Sequence, residues 1–314
     1  MGVVRVRHLP TFVSIEPANY CQLRCPACPV GQRAANNTHH KAQNMSWDTY
    51  LRILIQVQAT AHTIQLYFQG EPLLNKQLPE MITMAHQVGL YTIVSTNAQA
   101  LNRSTAEALV KSGLNRIIVS IDGFSEESYA AYRIGGSLHK ALEGLQHLAN
   151  AKAEFHSRIR IELQVLRLRS NEHEWDWIKK NYKSLGATHL VFKTAQLYNF
   201  EHGHPLMPTD ERYSRYRKTA DGTYIHKSSP LHSTPYTLHR AFGALCLRLW
   251  SGCVITTSGD ILPCCYDKDH RHAYGNITQQ SLAEIYHSAK ANALRRHVLR
   301  HPDKPLEMCK NCNQ

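Results

Sequence analysis

The chain has 314 residues, 43% of them hydrophobic, with 36 Lys plus Arg against 24 Asp plus Glu, for a formal charge of +12. That length buries a full core in one large α/β domain or one domain with a small appendage, and no apolar run approaches a membrane span. Nine cysteines, an odd count with no apolar leader ahead of them, fit reduced thiols in the cytoplasm that serve as metal ligands better than disulfides.

Strand and helix signals alternate through the first two-thirds. A strand at Phe12–Ile15 leads into NYCQLRCPACP, which holds Cys21, Cys25 and Cys28. A second strand is predicted at His62–Phe68. Pro79 then opens a helix whose Met81, Met84, Ala85 and Val88 share one face, and Gly89 closes it. Tyr91–Ser95 is the next strand. Ser104 and Glu107 read as a capping box, and Gly113 ends that helix. Arg116–Ile121 has the continuous apolar character of a strand covered on both faces. A helix carrying Leu138, Ala141, Leu142, Leu145 and Leu148 follows, then strand Ile159–Leu166, a helix capped by Asn171 and Glu174 and ended at Gly186, and strand His189–Phe192.

Six strands with helices between them predict an α/β fold with a parallel sheet and right-handed crossovers, too few for an eight-stranded barrel. Residues 196–245, rich in Pro, His, Tyr and Ser, read as a linker that partly wraps the active site. The expected division is a core at 1–195, that wrapping segment at 196–245, and a small carboxyl-terminal domain at 246–314. Basic residues cluster at Arg158, Arg160, Arg167 and Arg169 and again at Lys290, Arg295, Arg296 and Arg300 without an aromatic stacking motif. Positive charge of this kind favours anionic partners, but a solvated surface explains most of it and nucleic acid is not an expected partner.

The spacing C-x3-C-x2-C of Cys21, Cys25 and Cys28 suits three irons of a cubane cluster, leaving the fourth without a protein ligand and open to a small molecule. The competing reading is zinc, which normally takes four ligands, the His39–His40 pair being available to help. This triplet resembles the signature of the radical S-adenosylmethionine (SAM) superfamily, with Ala27 where members usually carry an aromatic residue. The resemblance implies a partial (β/α)6 barrel of the radical SAM type, a SAM-binding [4Fe–4S] cluster on the loop after the first strand, and SAM as cosubstrate.

By the same resemblance, Gln69-Gly70-Glu71-Pro72 stands where the family has Gly-Gly-Glu-Pro, so Gly70 and Glu71 would receive the SAM amino group. Ser95-Thr96-Asn97-Ala98 is similar to the family's Thr-Asn-Gly at the end of the third strand, which brings in Asn97. Ser120, at the end of the fourth strand, would help hold ribose or carboxylate, and Arg133 in AYRIGG would pair the carboxylate. The plainer readings stay open: Asn97, Ser120 and Asp122 all suit chain reversals, and Arg133 suits a surface ion pair.

Cys246, Gly259 and Cys264 with the closing pair Cys309 and Cys312 resemble the twitch form of the SPASM extension, as do Trp250, Gly275-Asn276-Ile277 and Leu282–Tyr286. That implies an auxiliary [4Fe–4S] cluster on the four thiolates, with structural zinc as the competitor. Cys253 is expected as a buried small hydrophobe. Cys265, next to a cluster ligand, is a candidate hydrogen-atom donor to a substrate radical, and Asp267 a candidate general base or else a hairpin residue.

The expected activity is reductive cleavage of SAM to a 5′-deoxyadenosyl radical, which takes a hydrogen atom from a peptide or small molecule such as a metabolite or aminoglycoside-like sugar. Net oxidation to a double bond, carbonyl or crosslink would use the auxiliary cluster as electron sink. Epimerisation would use Cys265 instead. The remaining alternative is a non-catalytic iron–sulfur or zinc protein that binds nucleic acid. A reductant such as flavodoxin or ferredoxin is the expected partner, and no leader-binding domain is expected ahead of the first strand.

Overall fold

The computed structural model describes residues 6–35, 41–227, 246–301, 306–309 and 312; His39 and His40 lie outside the described residues. Six parallel strands form in chain order: β1 (Phe12–Ile15), β2 (Thr63–Gln65), β3 (Tyr91–Thr96), β4 (Arg116–Ser120), β5 (Arg160–Arg167) and β6 (His189–Thr194). Each pairs with its sequence neighbour, so the sheet runs β1 to β6 in order. The connecting helices include α1 (Pro29–Ala35), α2 (Trp47–Val57), α3 (Leu78–Gln87), α4 (Arg103–Lys111), α5 (Glu126–Ala130), α6 (Leu138–Glu154) and α7 (Trp175–Asn181). This is the α/β order expected of a partial (β/α)6 barrel.

Alternation along each strand sorts side chains between two faces. Val13, Ile15, Ile64, Leu66, Val94, Ile117, Val119, Ile161, Leu163 and Val165 pack on helix residues such as Tyr50, Ile53, Met81, Leu109, Ala141, Leu145 and Ile178 in one core. The opposite, inner face is polar. There Ser14 Oγ donates to Gln65 Oε1 (3.0 Å), Gln65 Nε2 to Tyr67 OH (2.7 Å) and Gln164 Nε2 to Ser120 Oγ (3.4 Å).

The carboxyl-terminal segment extends the same sheet. Helix α8 (Leu247–Ser251) leads into β9 (Gly252–Ile255), which pairs parallel with β1. Strands β10 (Asp260–Leu262) and β11 (Gly275–Asn276) then add antiparallel strands at that edge. Gly259 turns the β9–β10 hairpin at φ +87°, in the left-handed region that glycine occupies without penalty. Helices α9 (Leu282–Tyr286) and α10 (Ala289–Arg300) complete the segment.

Several local expectations are corrected. The helix at 103–111 is capped by Asn102, whose side chain accepts from Thr105 N at 2.9 Å, while Glu107 pairs with Arg103 inside the helix. Asn171 lies in a 3-10 turn, donating to the Asp122 and Leu166 carbonyls, and Glu174 accepts from Phe124 N and Ser128 Oγ. Strand β2 stops at Gln65, well short of Phe68. The wrapping segment is not featureless: β7 (Tyr216–Lys218) and β8 (Tyr224–His226) form an antiparallel hairpin. Its Leu197, Phe200, Leu206, Met207 and Tyr216 make a second core with Leu23, Cys25, Tyr132 and Leu168, against the cysteine loop.

Not all the clustered basic charge is solvated surface. Arg295 is fully buried, donating to the Leu249 and Tyr286 carbonyls and stacking on Tyr286 at 4.4 Å. Arg167 lies over the Tyr213 ring at 4.1 Å. No helix among the described residues is long and apolar enough to cross a membrane.

Candidate active site

Beyond β1 the chain turns through Glu16–Tyr20 into the cysteine loop. Cys28 N donates to the Cys25 carbonyl at 3.0 Å, and Gln32 N to the Cys28 carbonyl at 2.8 Å, which starts α1. Cys25 is buried; Cys21 and Cys28 are half-buried. Burial, with the neighbouring thiols adding to it, pushes Cys21 up to about 12 and Cys25 up to about 11. Such thiols stay protonated until a metal displaces the protons, so loading and deprotonation are one event.

The residues predicted to hold SAM gather around this loop. A Cβ on Gly70 would lie 2.1 Å from the Ala18 carbonyl oxygen and 2.7 Å from Tyr20 N, so only glycine lets the two backbones meet there. Glu71 is buried, and its carboxylate accepts from Leu73 N (3.2 Å), Thr96 Oγ1 (2.7 Å) and Asn97 N (2.8 Å). Its side chain therefore fastens the end of β3 to the Gly70 loop. Asn97 Nδ2 donates to Cys21 Sγ at 3.3 Å. Ala98 sits at φ 62°, a left-handed conformation that explains the family's glycine at this place.

Ser120 faces inward at the end of β4. Arg133 is drawn inward too, rather than to a surface ion pair: Nη2 meets Asp122 Oδ2 at 2.5 Å and Nη1 lies 3.8 Å from Cys25 Sγ. Burial raises the Asp122 carboxyl, opposed by the guanidinium and by Leu166 N, which donates to Oδ1 at 2.6 Å.

These residues fit the group the loop would hold. A low-dielectric cover and hydrogen bonds to sulfur are what set a thiolate-bound cubane's potential. Leu23, Tyr132 and Leu197 supply the cover, while Asn97 and Arg133 are aimed at two of the three sulfurs. Among the described residues no three His, Cys, Asp or Glu side chains converge on one ion; a cubane seats each thiolate on a different iron, so its ligands stand apart.

Cys246, Cys264, Cys309 and Cys312 line a single cavity together with Arg248, Tyr266 and Met308. Four residues separated by up to 66 positions are thus brought to one place. Burial pushes Cys264 up to about 12 and Cys309 up to about 11. Cys253 is on β9 in the helix-packed core, as expected of a buried hydrophobe.

Cys265 points away from that core. Arg248 Nη1 donates to its Sγ at 3.2 Å, and Tyr67 and Lys268 on the inner side stand within electrostatic reach of it. Asp267 is buried, and its two oxygens accept from Arg271 N and His272 N at 3.0 Å each. That is the work of a turn residue, not of an accessible base.

The stretch between the two cysteine sites went unread in the sequence. Gln69, standing in place of a glycine, accepts from Arg33 Nη2 (2.8 Å) and donates to the Lys268 carbonyl (2.8 Å), bracketing α1 to the loop after Cys265. Its backbone N–H reaches Glu16 Oε1 at 3.3 Å, and burial pushes that carboxyl up to about 7. Strand alternation at β1 would have placed Glu16 inward; nothing in the sequence announces the Gln69 bracket.

Comparison with known proteins agrees with this arrangement. The sequence model of the Radical SAM superfamily matches residues 15–159, and that of the SPASM iron–sulfur cluster-binding domain matches residues 246–313. PqqA peptide cyclase of Rhizobium meliloti (strain 1021) is 26% identical over 97% of this chain and 80% of its own length; that of Gluconobacter oxydans (strain 621H) is 24% identical over 97% and 83%. Among solved structures, Streptococcus suis SuiB bound to S-adenosylmethionine superposes with a TM-score of 0.69 at 14% identity, covering 97% of this chain and 73% of SuiB. Native anSMEcpe with bound AdoMet gives 0.66 at 15% identity (97% and 86%), and BtrN in complex with AdoMet and 2-DOIA gives 0.56 at 18% (98% and 94%). Zinc at either cysteine site therefore gives way to iron–sulfur clusters. The chain belongs to the radical SAM superfamily: it is an enzyme that uses S-adenosylmethionine with a [4Fe–4S] cluster and carries auxiliary iron–sulfur in a SPASM-type carboxyl-terminal domain.

Proposed function

We propose that this enzyme is a peptide-modifying oxidoreductase that removes two hydrogens from its substrate to form a crosslink or a double bond. The observation that carries the reading is the place of the auxiliary thiols. Their cavity shares Arg248 with the inner face of the sheet, so an electron acceptor held there would stand beside the substrate chamber. The relatives named PqqA peptide cyclase, and the structural likeness to SuiB, of which a complex with precursor peptide SuiA is known, favour a peptide over a sugar or free metabolite.

When bound, the cofactors supply a 5′-deoxyadenosyl radical by one-electron reductive cleavage of SAM. The protein's own part is to position and shield. Cys21, Cys25 and Cys28 would hold the SAM-binding cluster, with Gly70 and Glu71 packed against their loop and Asn97, Ser120 and Arg133 around it. Cys246, Cys264, Cys309 and Cys312 would hold the auxiliary one. The second core around Leu197 and Tyr216 covers the cysteine loop and excludes water. One hydrogen would leave the substrate as an atom and the other as a proton, to solvent, and an electron, which a cluster held by these four thiolates would be placed to accept. A cytoplasmic flavodoxin or ferredoxin would supply the reducing electron, and the division at 195 and 245 separates the catalytic core from the wrapping segment and auxiliary domain.

A second reading, epimerisation, is favoured by the inward-facing Cys265 thiol. The non-catalytic nucleic-acid-binding alternative is set aside by family membership. The test is anaerobic turnover with candidate precursor peptides in deuterated water after reduction with dithionite. Oxidation gives a product lighter by two hydrogens and no deuterium; unchanged connectivity with one solvent deuterium, lost in Cys265→Ala while deoxyadenosine still forms, would establish epimerisation instead.

A further inference from the structure

Gln69 stands where the family's motif has a glycine, and a glycine there would supply neither of the bonds its side chain makes. Nε2 donates to the Lys268 carbonyl at 2.8 Å, and Oε1 accepts from Arg33 Nη2 at 2.8 Å. The residue before it is gripped from the same side. The Lys268 ammonium lies 4.5 Å from the centroid of the Phe68 ring, and His270 stacks on that ring at 6.4 Å. Three contacts thus fasten Phe68 and Gln69 to Lys268 and His270, across a separation of 199 positions between Gln69 and Lys268.

Each side of this joint leads to a cysteine site. The turn over 264–272 is built outward from Cys264: Tyr266 N donates to Cys264 Sγ at 3.4 Å and Asp267 N to the Cys264 carbonyl at 3.3 Å. The buried Asp267 carboxylate then accepts from Arg271 N and His272 N at 3.0 Å each, which closes the turn. Arg271 Nη1 donates to Glu307 Oε2 at 2.7 Å, two residues before Cys309. Cys264 and Cys309 line one cavity, so a cluster held there would fix the turn at both ends. On the other side, Gln69 N donates to Glu16 Oε1 at 3.3 Å, and Glu71 N to the carbonyl of Tyr20, next to Cys21, at 2.8 Å. Gly70, between them, packs its backbone on Ala18 with no room for a Cβ.

We propose that Gln69 is a positioning residue that makes the affinity for SAM depend on the auxiliary cluster. A turn ordered by that cluster holds Gln69, and Gln69 holds the Gly70-Glu71 loop in the place where SAM is received. A loop fixed before its ligand arrives loses less freedom on binding, which tightens the complex. This rests on the reading above that Cys246, Cys264, Cys309 and Cys312 hold one cluster and that Gly70 and Glu71 receive SAM. By reciprocity, SAM must also order the 264–272 turn.

The test measures SAM affinity by anaerobic equilibrium dialysis of reconstituted protein in a cycle of parent, Cys309→Ala, Gln69→Met and the double variant. In the parent background Cys309→Ala should weaken SAM about fivefold, the scale of one net hydrogen bond. In the Gln69→Met background it should change SAM affinity by less than about twofold. Gln69→Glu keeps an acceptor for Arg33 but loses the donor to the Lys268 carbonyl, and should behave as Gln69→Met does. A second measurement needs no cysteine change: adding SAM should slow backbone hydrogen exchange over 264–272 in the parent and leave it unaltered in Gln69→Met. Equal weakening by Cys309→Ala in both backgrounds, no weakening in either, or SAM protection of the turn that survives Gln69→Met, overturns the proposal and leaves the β1–β9 ladder as the connection between the sites. Iron content separates that failure from failure of the ligand assignment. Cys309→Ala should carry about four irons per chain against about eight in the parent, and an unchanged count would sink the four-thiolate reading and the proposal with it.

Discussion

Asn97 donates its side-chain N–H to Cys21 Sγ over 3.3 Å while its backbone N–H is held by Glu71 at 2.8 Å. Three separate motifs, the cysteine triplet, the Gly-Glu-Pro turn and the end of β3, are therefore one hydrogen-bonded unit. A donor to a thiolate draws electron density from the metal and raises its potential. Asn97→Ala is expected to retain the cluster's iron and lower its reduction potential, on the order of tens of millivolts. An anaerobic potentiometric titration followed by electron paramagnetic resonance measures it; an unmoved midpoint would assign the amide to loop structure alone.

Glu16 links stability to pH. Its carboxyl, pushed up to about 7 by burial against the ordinary 4.5, prefers the proton in the folded state. A raised acid contributes its full share of stability below the unfolded value and loses it as pH climbs through the folded one. Stability should fall between about pH 4.5 and 7 by roughly 3 kcal/mol and level off above. Glu16→Gln keeps an oxygen for the Gln69 N–H and removes the titration. Urea unfolding at pH 5 and pH 8 should give the parent a clear difference and the variant little; parallel profiles would show that Glu16 stays ionised, held so by Lys268 and Arg33.

Arg133 and Asp122 form a buried pair whose members are costly apart. Arg133→Gln strands the Asp122 carboxylate and should destabilise by about 3–5 kcal/mol. Adding Asp122→Asn removes the stranded charge while its remaining oxygen still accepts from Leu166 N, so the double variant should recover about half or more of that loss. Simple additivity of the two single losses in urea unfolding would show that the ion pair is not coupled.

Most of the sheet was legible because a parallel strand covered by helices is written as an apolar run between turn residues, as at Arg116–Ile121 and Tyr91–Ser95. The cysteine ligands were legible from spacing. Helix starts were not, because Ser104 and Asn102 are both good caps and only the backbone decides between them. The β9–β1 pairing joins residues about 240 apart in sequence, and short strands such as Gly252–Ile255 carry no partner information. Gln69 was read only as a missing glycine. Its two side-chain links reach Arg33 and Lys268, and the latter lies 199 residues away, so no local pattern reports it.

Adjacent cysteines with opposite environments give the sharpest test of the auxiliary site. Cys264 lines the cavity with Cys246, Cys309 and Cys312, whereas Cys265 is not part of that lining and accepts from Arg248. If the four lining thiolates hold one cubane, Cys264→Ala should drop iron and inorganic sulfide from about eight of each per chain to about four. Cys265→Ala should leave both counts unchanged, because it removes no ligand and opens space only for the methyl-sized difference. Under the oxidation reading its product should also be that of the parent enzyme, since the electron still leaves through the intact cluster. A halved iron content in Cys265→Ala would move the ligand one residue along, and with it the register of the whole β10 connection.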